Sequence, residues 1–315
     1  MKKINVILPV YNEAEGLTDF NKELFAILEK MQSKYSFEVI YVIDKSNDNT
    51  YDIAKKFCKE YKCIRLLYLS RRFGHQLSLV AGMDHCDGDA VIMMDCDMEH
   101  PPSLIPELIE KFEQGYDIVN TKRIYNKKVS VFKKVTSKIF YKFLNSITDV
   151  NVSEDSADFR LISKKVLKIF QNNIREQNQF LRGLFPWIGF KQTQITFTSD
   201  SRKKGSSKYN LRRLFNFAIS GIISFSKTPL KVSIFFGLII SLLSVLYGLV
   251  SIVLFFITNQ APQGWTSLIA MISFLGGLQL TAIGLIGLYI GGIFDEVKNR
   301  PLYIVEEEYG GKDNE

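Results

Sequence analysis

Charged residues are absent from one long stretch of this chain. Residues 232–294 contain no Asp, Glu, Lys or Arg, although 23% of the 315 residues are charged. A polar turn over residues 259–264 divides the stretch into two apolar runs. The first run, about 27 residues, would measure about 40 Å as a helix, which exceeds the roughly 30 Å hydrocarbon core of a bilayer. We therefore predict a hairpin of two transmembrane helices, because a buried hairpin in a soluble protein would rarely reach this length.

Cysteine is also scarce, and the N-terminus lacks the features of a signal peptide. The four cysteines, Cys58, Cys63, Cys86 and Cys96, form no Cys-x-x-Cys pair, and all precede the uncharged stretch. This spacing argues against a zinc site and favours reduced thiols in a cytoplasmic domain. The apolar run 4–8 is too short for the hydrophobic core of a signal peptide. We therefore expect no cleaved signal sequence.

Basic residues outnumber acidic ones, and they flank the predicted hairpin. The formal charge of +7 suits an anionic partner, and the membrane segment favours anionic lipid or a phosphorylated substrate over nucleic acid. Lys227 and Lys231 precede the hairpin, and Lys298 and Arg300 follow it, whereas the turn is uncharged. By the positive-inside rule, both ends of the hairpin are expected in the cytoplasm.

These features predict four parts of the chain. They are a cytoplasmic α/β domain over residues 1–208, a juxtamembrane interface helix over 209–231, two transmembrane helices over 232–294 and a cytoplasmic C-terminal tail over 295–315. Residues 122–142 hold several lysines interleaved with apolar side chains and no acid, a pattern typical of an amphipathic helix on an anionic bilayer. A solvated helix face is the alternative.

The first 120 residues alternate between short apolar runs and segments of helical periodicity. The apolar runs predict strands over residues 4–8, 37–43, 64–69, 90–94 and 117–120. The segments between them predict helices over residues 17–31, 50–61, 73–85 and 103–112. Because such an alternation favours parallel pairing with right-handed crossovers, we predict an α/β domain with a doubly wound, mostly parallel sheet.

Acidic residues follow the fourth predicted strand directly. Asp95 and Asp97 come after the apolar run, Glu99 is close behind, and Pro101-Pro102 prevents the strand from continuing. In an open α/β sheet, ligands bind beyond the carboxyl ends of the strands. Carboxylates at this position suit a divalent cation such as Mg2+ or Mn2+, often shared with substrate phosphates. For these acids alone, an acidic strand-to-loop turn is the simpler interpretation.

A set of motifs in a fixed order resembles the family-2 glycosyltransferases. Its members are Ile7-Leu8-Pro9-Val10-Tyr11-Asn12-Glu13, the turn 44–50, Arg72-Phe73-Gly74 with Ala81-Gly82, Asp95-Cys96-Asp97 before the proline pair, and Asp158-Phe159-Arg160-Leu161. With the membrane hairpin, the chain is more narrowly similar to polyprenyl-phosphate glycosyltransferases of the bactoprenol type, and more distantly to dolichol-phosphate mannose synthases. The similarity covers nearly the whole chain.

The resemblance implies both a fold and a reaction. The fold would be GT-A-like, with amphipathic interface helices beside the hairpin. The reaction would transfer one sugar, glucose from UDP-glucose, with inversion to undecaprenyl phosphate at the cytoplasmic face of a bacterial inner membrane. It would need Mg2+ or Mn2+ as a cofactor. The protein would act as a homo-oligomer, to which the glycines of the second apolar run also point.

The resemblance also implies roles for individual residues. Four would hold the nucleoside of the donor, namely Pro9, Tyr11, Glu13 and Asp44. Three acidic residues would hold the metal and the diphosphate, namely Asp95, Asp97 and Glu99. Four basic residues suit the donor diphosphate or the acceptor phosphate, namely Lys122, Arg123, Arg202 and Lys208. The reacting groups would lie near Asp158, Arg160 and Asp97.

The chemistry of the acceptor limits the role of Asp158. A lipid monophosphate has a second pKa of about 6, so it is largely an anion at neutral pH. It therefore needs positioning and charge neutralisation more than it needs a general base. We expect Asp158 to line the site, and a structural ion pair between Asp158 and Arg160 is the alternative.

Several positions depart from the pattern of the family. Lys45 replaces the second aspartate that usually follows Asp44, and Glu99-His100 stands where relatives often have Gln and Asp. Gly183 replaces the tryptophan of the Gln-x-x-Arg-Trp motif of processive synthases, which argues against a polysaccharide synthase. A processive synthase nevertheless stays one alternative, and a membrane scaffold with a decayed site, supported mainly by Lys45, is the other. The three histidines show no metal-ligand spacing and are expected to be structural or surface residues.

Overall fold

The computed structural model describes residues 1–125, 156–199, 226–258 and 264–311. Two predicted phosphate-binding residues, Arg202 and Lys208, lie outside the described residues. So do most of the predicted basic helix over 122–142, most of the interface segment over 209–231 and most of the turn between the apolar runs.

The described chain alternates between strands and helices in its first part and ends in two long helices and a strand. The strands are β1 (Lys2–Val10), β2 (Tyr35–Ile43), β3 (Ile64–Leu69), β4 (Ala90–Met93), β5 (Ile118–Tyr125), β6 (Ser156–Ser163), β7 (Gln192–Ser199) and β8 (Val305–Gly310). The helices are α1 (Leu17–Glu29), α2 (Thr50–Glu60), α3 (His75–Asp84), α4 (Ile105–Glu113), α5 (Lys164–Asn172), α6 (Leu181–Trp187), α7 (Thr228–Thr258) and α8 (Trp265–Val297).

Within these residues the strands form one sheet in the order β7-β5-β6-β4-β1-β2-β3-β8. β1 pairs in parallel with both β2 and β4, and β2 pairs in parallel with β3. β6 is antiparallel to β4 and β5, β5 is parallel to β7, and β8 is antiparallel to β3. The predicted α/β fold with a mostly parallel sheet is therefore confirmed. The antiparallel strands β6 and β8 are additions that periodicity did not indicate.

Apolar side chains cover both faces of the sheet. Alternate residues of β1 divide between two cores, with Ile4 and Val6 in one and Ile7 in the other. Helices α1, α2 and α4 contribute to the first core, and α3, α5 and α6 contribute to the second. A β-carbon on Gly82 would lie 2.3 Å from Ile7 Cγ2, so glycine allows α3 to approach the sheet closely.

The segment after α8 returns to the sheet as β8 and pairs with the edge of β3. Acidic side chains of β8 attach it to the domain. Lys45 Nζ donates to Glu306 at 3.1 Å, and Arg65 forms an ion pair with Glu308. Residues 295–315, predicted as a tail, thus include a strand of the α/β domain, and Lys45 has a partner on that strand.

Two of the described helices, α7 and α8, are long and apolar enough to cross a membrane. Their apolar windows are Thr228–Ser251 and Ser267–Val297, with mean hydropathies of 2.3 and 2.0, and neither window is buried. This length and composition fit the predicted hairpin and indicate membrane association. The α/β domain contacts the end of α8, because Gln177 donates its backbone N–H to Glu296 at 2.8 Å and its side-chain amide to the Arg300 carbonyl at 2.6 Å.

Candidate active site

The carboxyl ends of β1, β2 and β4 meet around a cavity of about 210 Å³. Its lining is formed by Pro9, Val10, Tyr11, Glu13, Asp44, Arg72, Gly74, His75, Ser78, Asp95, Cys96 and Asp97. Because β1 lies between β2 and β4, parallel pairing brings motifs that are distant in sequence to one edge of the sheet. The predicted residues that meet here are Pro9, Tyr11, Glu13, Asp44, Asp95 and Asp97.

The loops after β1 and β2 are joined by hydrogen bonds between side chains and backbone. Asn12 donates its N–H to Ser46 Oγ at 3.1 Å, and its Oδ1 accepts the N–H of Asn47 at 2.9 Å. Glu13 donates its N–H to Thr50 Oγ1 at 3.0 Å. The φ of Asn12 is 54°, a left-handed conformation that asparagine adopts more readily than most residues. These bonds fix the loop after β1 against the start of α2.

Asp44 holds the loop between β3 and α3. Its buried carboxylate accepts the backbone N–H groups of Phe73 at 2.7 Å and Gly74 at 2.8 Å. Gly74 has a φ of 96°, which glycine adopts without strain. The Arg72 guanidinium stacks over the Tyr11 ring at 3.9 Å. Asp44 therefore lines the cavity, and it also positions a second motif of the same cavity.

Asp95 lies between two histidines. His75 Nε2 is 2.6 Å from Asp95 Oδ1, and His100 Nδ1 accepts the backbone N–H of Asp95 at 2.9 Å. Partial desolvation in the cavity lowers the pKa of His75, but the adjacent Asp95 carboxylate more than offsets this and raises it to about 9. Burial raises the pKa of Asp95, yet His75 outweighs that effect and the value falls to about 2. At neutral pH the pair is therefore an anion beside a cation.

His100 has a structural role beneath this pair. Burial lowers its pKa, and its ring stacks on Phe159 with 5.4 Å between ring centres. The ring is neutral, which agrees with Nδ1 acting as a hydrogen-bond acceptor. The structure thus confirms a satisfied core histidine at this position, whereas His75 lines the cavity.

Asp97 and Glu99 have different partners. Asp97 lines the cavity, and its Oδ1 accepts the backbone N–H of Glu99 at 3.0 Å. Glu99 forms a close ion pair with Arg123 on β5 and lies outside the cavity lining. Met98 between the two acids has a φ of 63°, and this left-handed residue turns the chain. A predicted metal ligand, Glu99, and a predicted phosphate ligand, Arg123, therefore bind each other.

Asp158 on β6 is paired mainly with Arg182 on α6. Arg182 donates through Nε at 3.0 Å and through Nη2 at 2.8 Å, so the pair is bidentate. Arg160 Nη2 lies 3.5 Å from Asp158, and the Arg160 guanidinium stacks over Phe185 at 4.3 Å. Burial opposes ionisation of Asp158, but Arg182 holds its pKa well below the usual range. A carboxylate held in this way is unsuited to act as a general base.

Two contributors to the site were not singled out from the sequence. His75 directly follows the Arg72-Phe73-Gly74 motif, and that adjacency was the available signal. Arg182 occupies the Arg position of the Gln-x-x-Arg pattern, which sequence reasoning used only for the residue after it. Lys122 lies on β5 opposite Thr196 of β7, away from the cavity lining.

Asp95 and Asp97 form the pair of carboxylates at the carboxyl end of β4. In the part of the chain that the structure describes, no group of three or more His, Cys, Asp or Glu side chains is arranged to hold a metal ion. Mg2+ commonly takes only one or two protein carboxylates, because substrate phosphates and water complete its coordination. The two carboxylates therefore fit Mg2+ or Mn2+ bound together with a diphosphate.

The chain is similar over most of its length to known glycosyltransferases. The model of glycosyl transferase family 2 matches residues 5–170, which is more than half of the chain. The chain is 37% identical over 312 residues to the bactoprenol glucosyl transferase of Shigella phage SfII, covering 98% of this chain and 99% of that protein. It is also 37% identical over 306 residues to the uncharacterized glycosyltransferase YkcC of Bacillus subtilis (strain 168), covering 97% and 94%.

A solved structure is similar at lower identity. The glucosyl-3-phosphoglycerate synthase of Mycobacterium tuberculosis, in complex with Mn2+, uridine diphosphate and glucosyl-3-phosphoglycerate, matches with a TM-score of 0.46 and 16% identity, covering 70% of this chain and 78% of that one. The mixed, mostly parallel sheet of the present chain is GT-A-like. The family model covers the carboxyl ends of β1, β2 and β4, which meet around the cavity. The chain therefore belongs to the family-2 glycosyltransferases and is related to the bactoprenol glucosyl transferases.

Proposed function

We propose that this protein transfers a single glucose from UDP-glucose to undecaprenyl phosphate, with inversion at the anomeric carbon. The observation that carries the proposal is the cavity in which Asp95 and Asp97 lie beside Pro9, Tyr11 and Glu13. A relative named as a bactoprenol glucosyl transferase matches almost the whole chain, including the two apolar helices. That match supports glucose as the sugar and a polyprenyl phosphate as the acceptor.

The donor is assigned to the cavity. Tyr11, stacked beneath Arg72, offers an aromatic surface for the base, and Glu13 and Asp44 offer acceptors for donor N–H and O–H groups. Asp95 and Asp97 would hold Mg2+ or Mn2+ against the diphosphate. A cation bound there supplies Lewis-acid neutralisation of the departing diphosphate. We assign Arg202 and Lys208 to the phosphates on the ground of charge.

Asp158 is proposed to orient arginines for the acceptor rather than to take a proton. Its carboxylate holds Arg182 in a bidentate pair and has Arg160 at 3.5 Å. A lipid phosphate is already largely an anion at neutral pH, so guanidinium groups that neutralise and align it supply what the reaction needs. Burial raises the pKa of Asp158, but the adjacent Arg182 guanidinium outweighs this effect and lowers it. Asp158 therefore stays ionised in this role.

The enzyme is assigned to the bacterial cytoplasmic membrane, with the catalytic domain and both termini in the cytoplasm. β8, after α8, pairs with β3, which precedes α7, so both ends of the hairpin are joined to one domain. The basic residues around the hairpin support the same orientation.

We also propose a homo-oligomer. Added β-carbons on Gly276, Gly277, Gly284 and Gly287 of α8 would meet open space, so these faces can receive another helix.

The departure at Lys45 does not require a decayed site. Lys45 Nζ donates to the Ser70 carbonyl at 3.3 Å and to Glu306 at 3.1 Å, so the lysine links the end of β2 to β8. This structural role removes the main support for a scaffold without activity.

A donor panel tests the proposal. Purified protein in detergent is incubated with undecaprenyl phosphate and each of several UDP- and GDP-sugars, with Mg2+, Mn2+ or EDTA. We expect one glycolipid, formed from UDP-glucose and abolished by EDTA. A polymeric product would indicate a processive synthase. The absence of any metal-dependent glycolipid from every donor would refute the enzymatic function.

Glu99→Gln is expected to leave the metal requirement nearly unchanged. Glu99 pairs with Arg123 and lies outside the lining that contains Asp95 and Asp97, so its charge contributes little there. The Mn2+ concentration for half-maximal transfer should shift by less than about threefold, below the 10- to 100-fold typical of residues that support a metal site. A Mn2+ titration of initial rates measures this shift. A change as large as that of Asp95→Asn would make Glu99 a ligand.

A further inference from the structure

We propose that His75 is a positioning residue that fixes the Asp95 carboxylate in the orientation that binds the divalent cation. The inference rests on the proposed metal-dependent transfer and assigns a role to a side chain for which motif spacing predicted none. Its basis is the hydrogen bond between His75 Nε2 and Asp95 Oδ1 at 2.6 Å, inside a cavity that both residues line.

The backbone that carries His75 is held firmly. Asp44 accepts the N–H groups of the two preceding residues, Phe73 and Gly74. Ser78 donates both its N–H and its hydroxyl to the Gly74 carbonyl, at 3.0 Å and 3.2 Å. His75 is the first residue of α3, so these contacts fix the direction from which its ring approaches the end of β4. Asp44, directly after β2, is therefore connected through this loop and His75 to Asp95, just after β4.

Asp95 is held from the other side as well. Its backbone N–H donates to His100, whose ring is 1% exposed and packs between Phe159 and Phe197. Because His100 Nδ1 accepts a hydrogen bond, it offers no proton to the nearby Asp95 Oδ2. His75 thus sets the carboxylate plane through Oδ1, and within the described part of the chain Oδ2 keeps its lone pairs for a cation. Hydrogen bonds of this kind are typically worth 10- to 100-fold in metal affinity.

Direct binding of Mn2+ tests the inference without measuring catalysis. Mn2+ is titrated into full-length protein with UDP in detergent. The concentration of free Mn2+ is measured from its electron paramagnetic resonance signal. The glutamine amide nitrogen can take the place of imidazole Nε2, so His75→Gln keeps the hydrogen bond and His75→Ala removes it. We expect about 10- to 100-fold weaker binding in His75→Ala and less than about threefold weaker binding in His75→Gln.

His85→Ala is the matched control, because His85 follows the opposite end of α3 and contacts the Ala81 carbonyl instead of the cavity. It should bind Mn2+ as the wild type does. Unchanged or tighter binding in His75→Ala would overturn the inference, since His75 would then be irrelevant to the cation or compete with it. Binding by His75→Gln as weak as that by His75→Ala would also overturn it, since a positioning hydrogen bond predicts rescue.

Asp95→Asn separates this inference from the proposed function. If Asp95→Asn abolishes Mn2+ binding while His75→Ala leaves it intact, the positioning role fails and the metal role of Asp95 stands. If Asp95→Asn binds Mn2+ like the wild type, the metal role in the proposed function fails as well. Thermal unfolding midpoints within the range of the His85→Ala control show that each variant is folded.

Discussion

Asp97→Asn should reduce sugar transfer by about 10³-fold or more while leaving the fold intact. Asp97 lines the cavity at the carboxyl end of β4, where we propose that it holds the cation with Asp95. A bound cation stabilises the charge that develops on the departing diphosphate by several kcal/mol, and each loss of about 1.4 kcal/mol slows the reaction tenfold. Asparagine has nearly the same size and keeps an oxygen that can accept the Glu99 N–H.

Initial rates of glucolipid formation at high Mn2+ measure the effect, and the thermal unfolding midpoint in detergent monitors the fold. Asp89→Asn is the matched control, because Asp89 lies at the amino end of the same strand and accepts the Lys3 N–H at 3.0 Å, which asparagine can also do. That variant should keep nearly full activity. If Asp97→Asn turned over as fast as Asp89→Asn, the cation would not depend on Asp97.

The sheet and much of the cavity follow from local patterns in the sequence. Each apolar run of the first part is a strand, and the run 64–69 matches β3 at both ends. Asp44 directly follows β2, and Asp95 follows β4 by one residue. Because parallel strands deliver their ends to one edge of the sheet, predicting the strands was sufficient to predict that these acids meet.

The contacts between loops and helices could not be read from those patterns. His75 reaches Asp95 from the start of a helix, and no spacing rule relates a helix start to the end of a neighbouring strand. Arg182 reaches Asp158 from α6 in the same way. Such contacts depend on how helices pack on the sheet, which is decided by the whole core.

The sequence patterns did not predict β8, and the physical reason differs from that for the loop and helix contacts. Its residues Val305–Gly310 include three successive glutamates and are largely exposed, so they lack the alternation of apolar and polar side chains that marks a half-buried strand. Backbone pairing with β3 and ion pairs such as Arg65–Glu308 hold it in place. An edge strand held by charge gives no hydrophobic signal.

Arg182→Met should lower the free energy of unfolding by about 3 kcal/mol at pH 7. The variant keeps the apolar stem but leaves the buried Asp158 carboxylate with only the weaker compensation of Arg160, at 3.5 Å, and His75 among the described residues. Removing one partner of a buried ion pair costs about 3–5 kcal/mol, because the remaining charge is desolvated without full compensation. Chemical denaturation of the full chain in detergent measures the change.

The pH dependence of the same pair has a defined sign. Burial works against ionisation of Asp158, but Arg182 holds its folded-state pKa well below the unfolded value of about 3.9. The ionised group therefore stabilises the wild type above that pH, and this contribution is lost as the pH falls towards the folded-state pKa. The gap between wild type and Arg182→Met should consequently be largest near pH 7 and shrink below about pH 4. If the variant were as stable as the wild type at pH 7, Arg160 and His75 would compensate the buried carboxylate, and the role of Arg182 would have to lie with the acceptor phosphate.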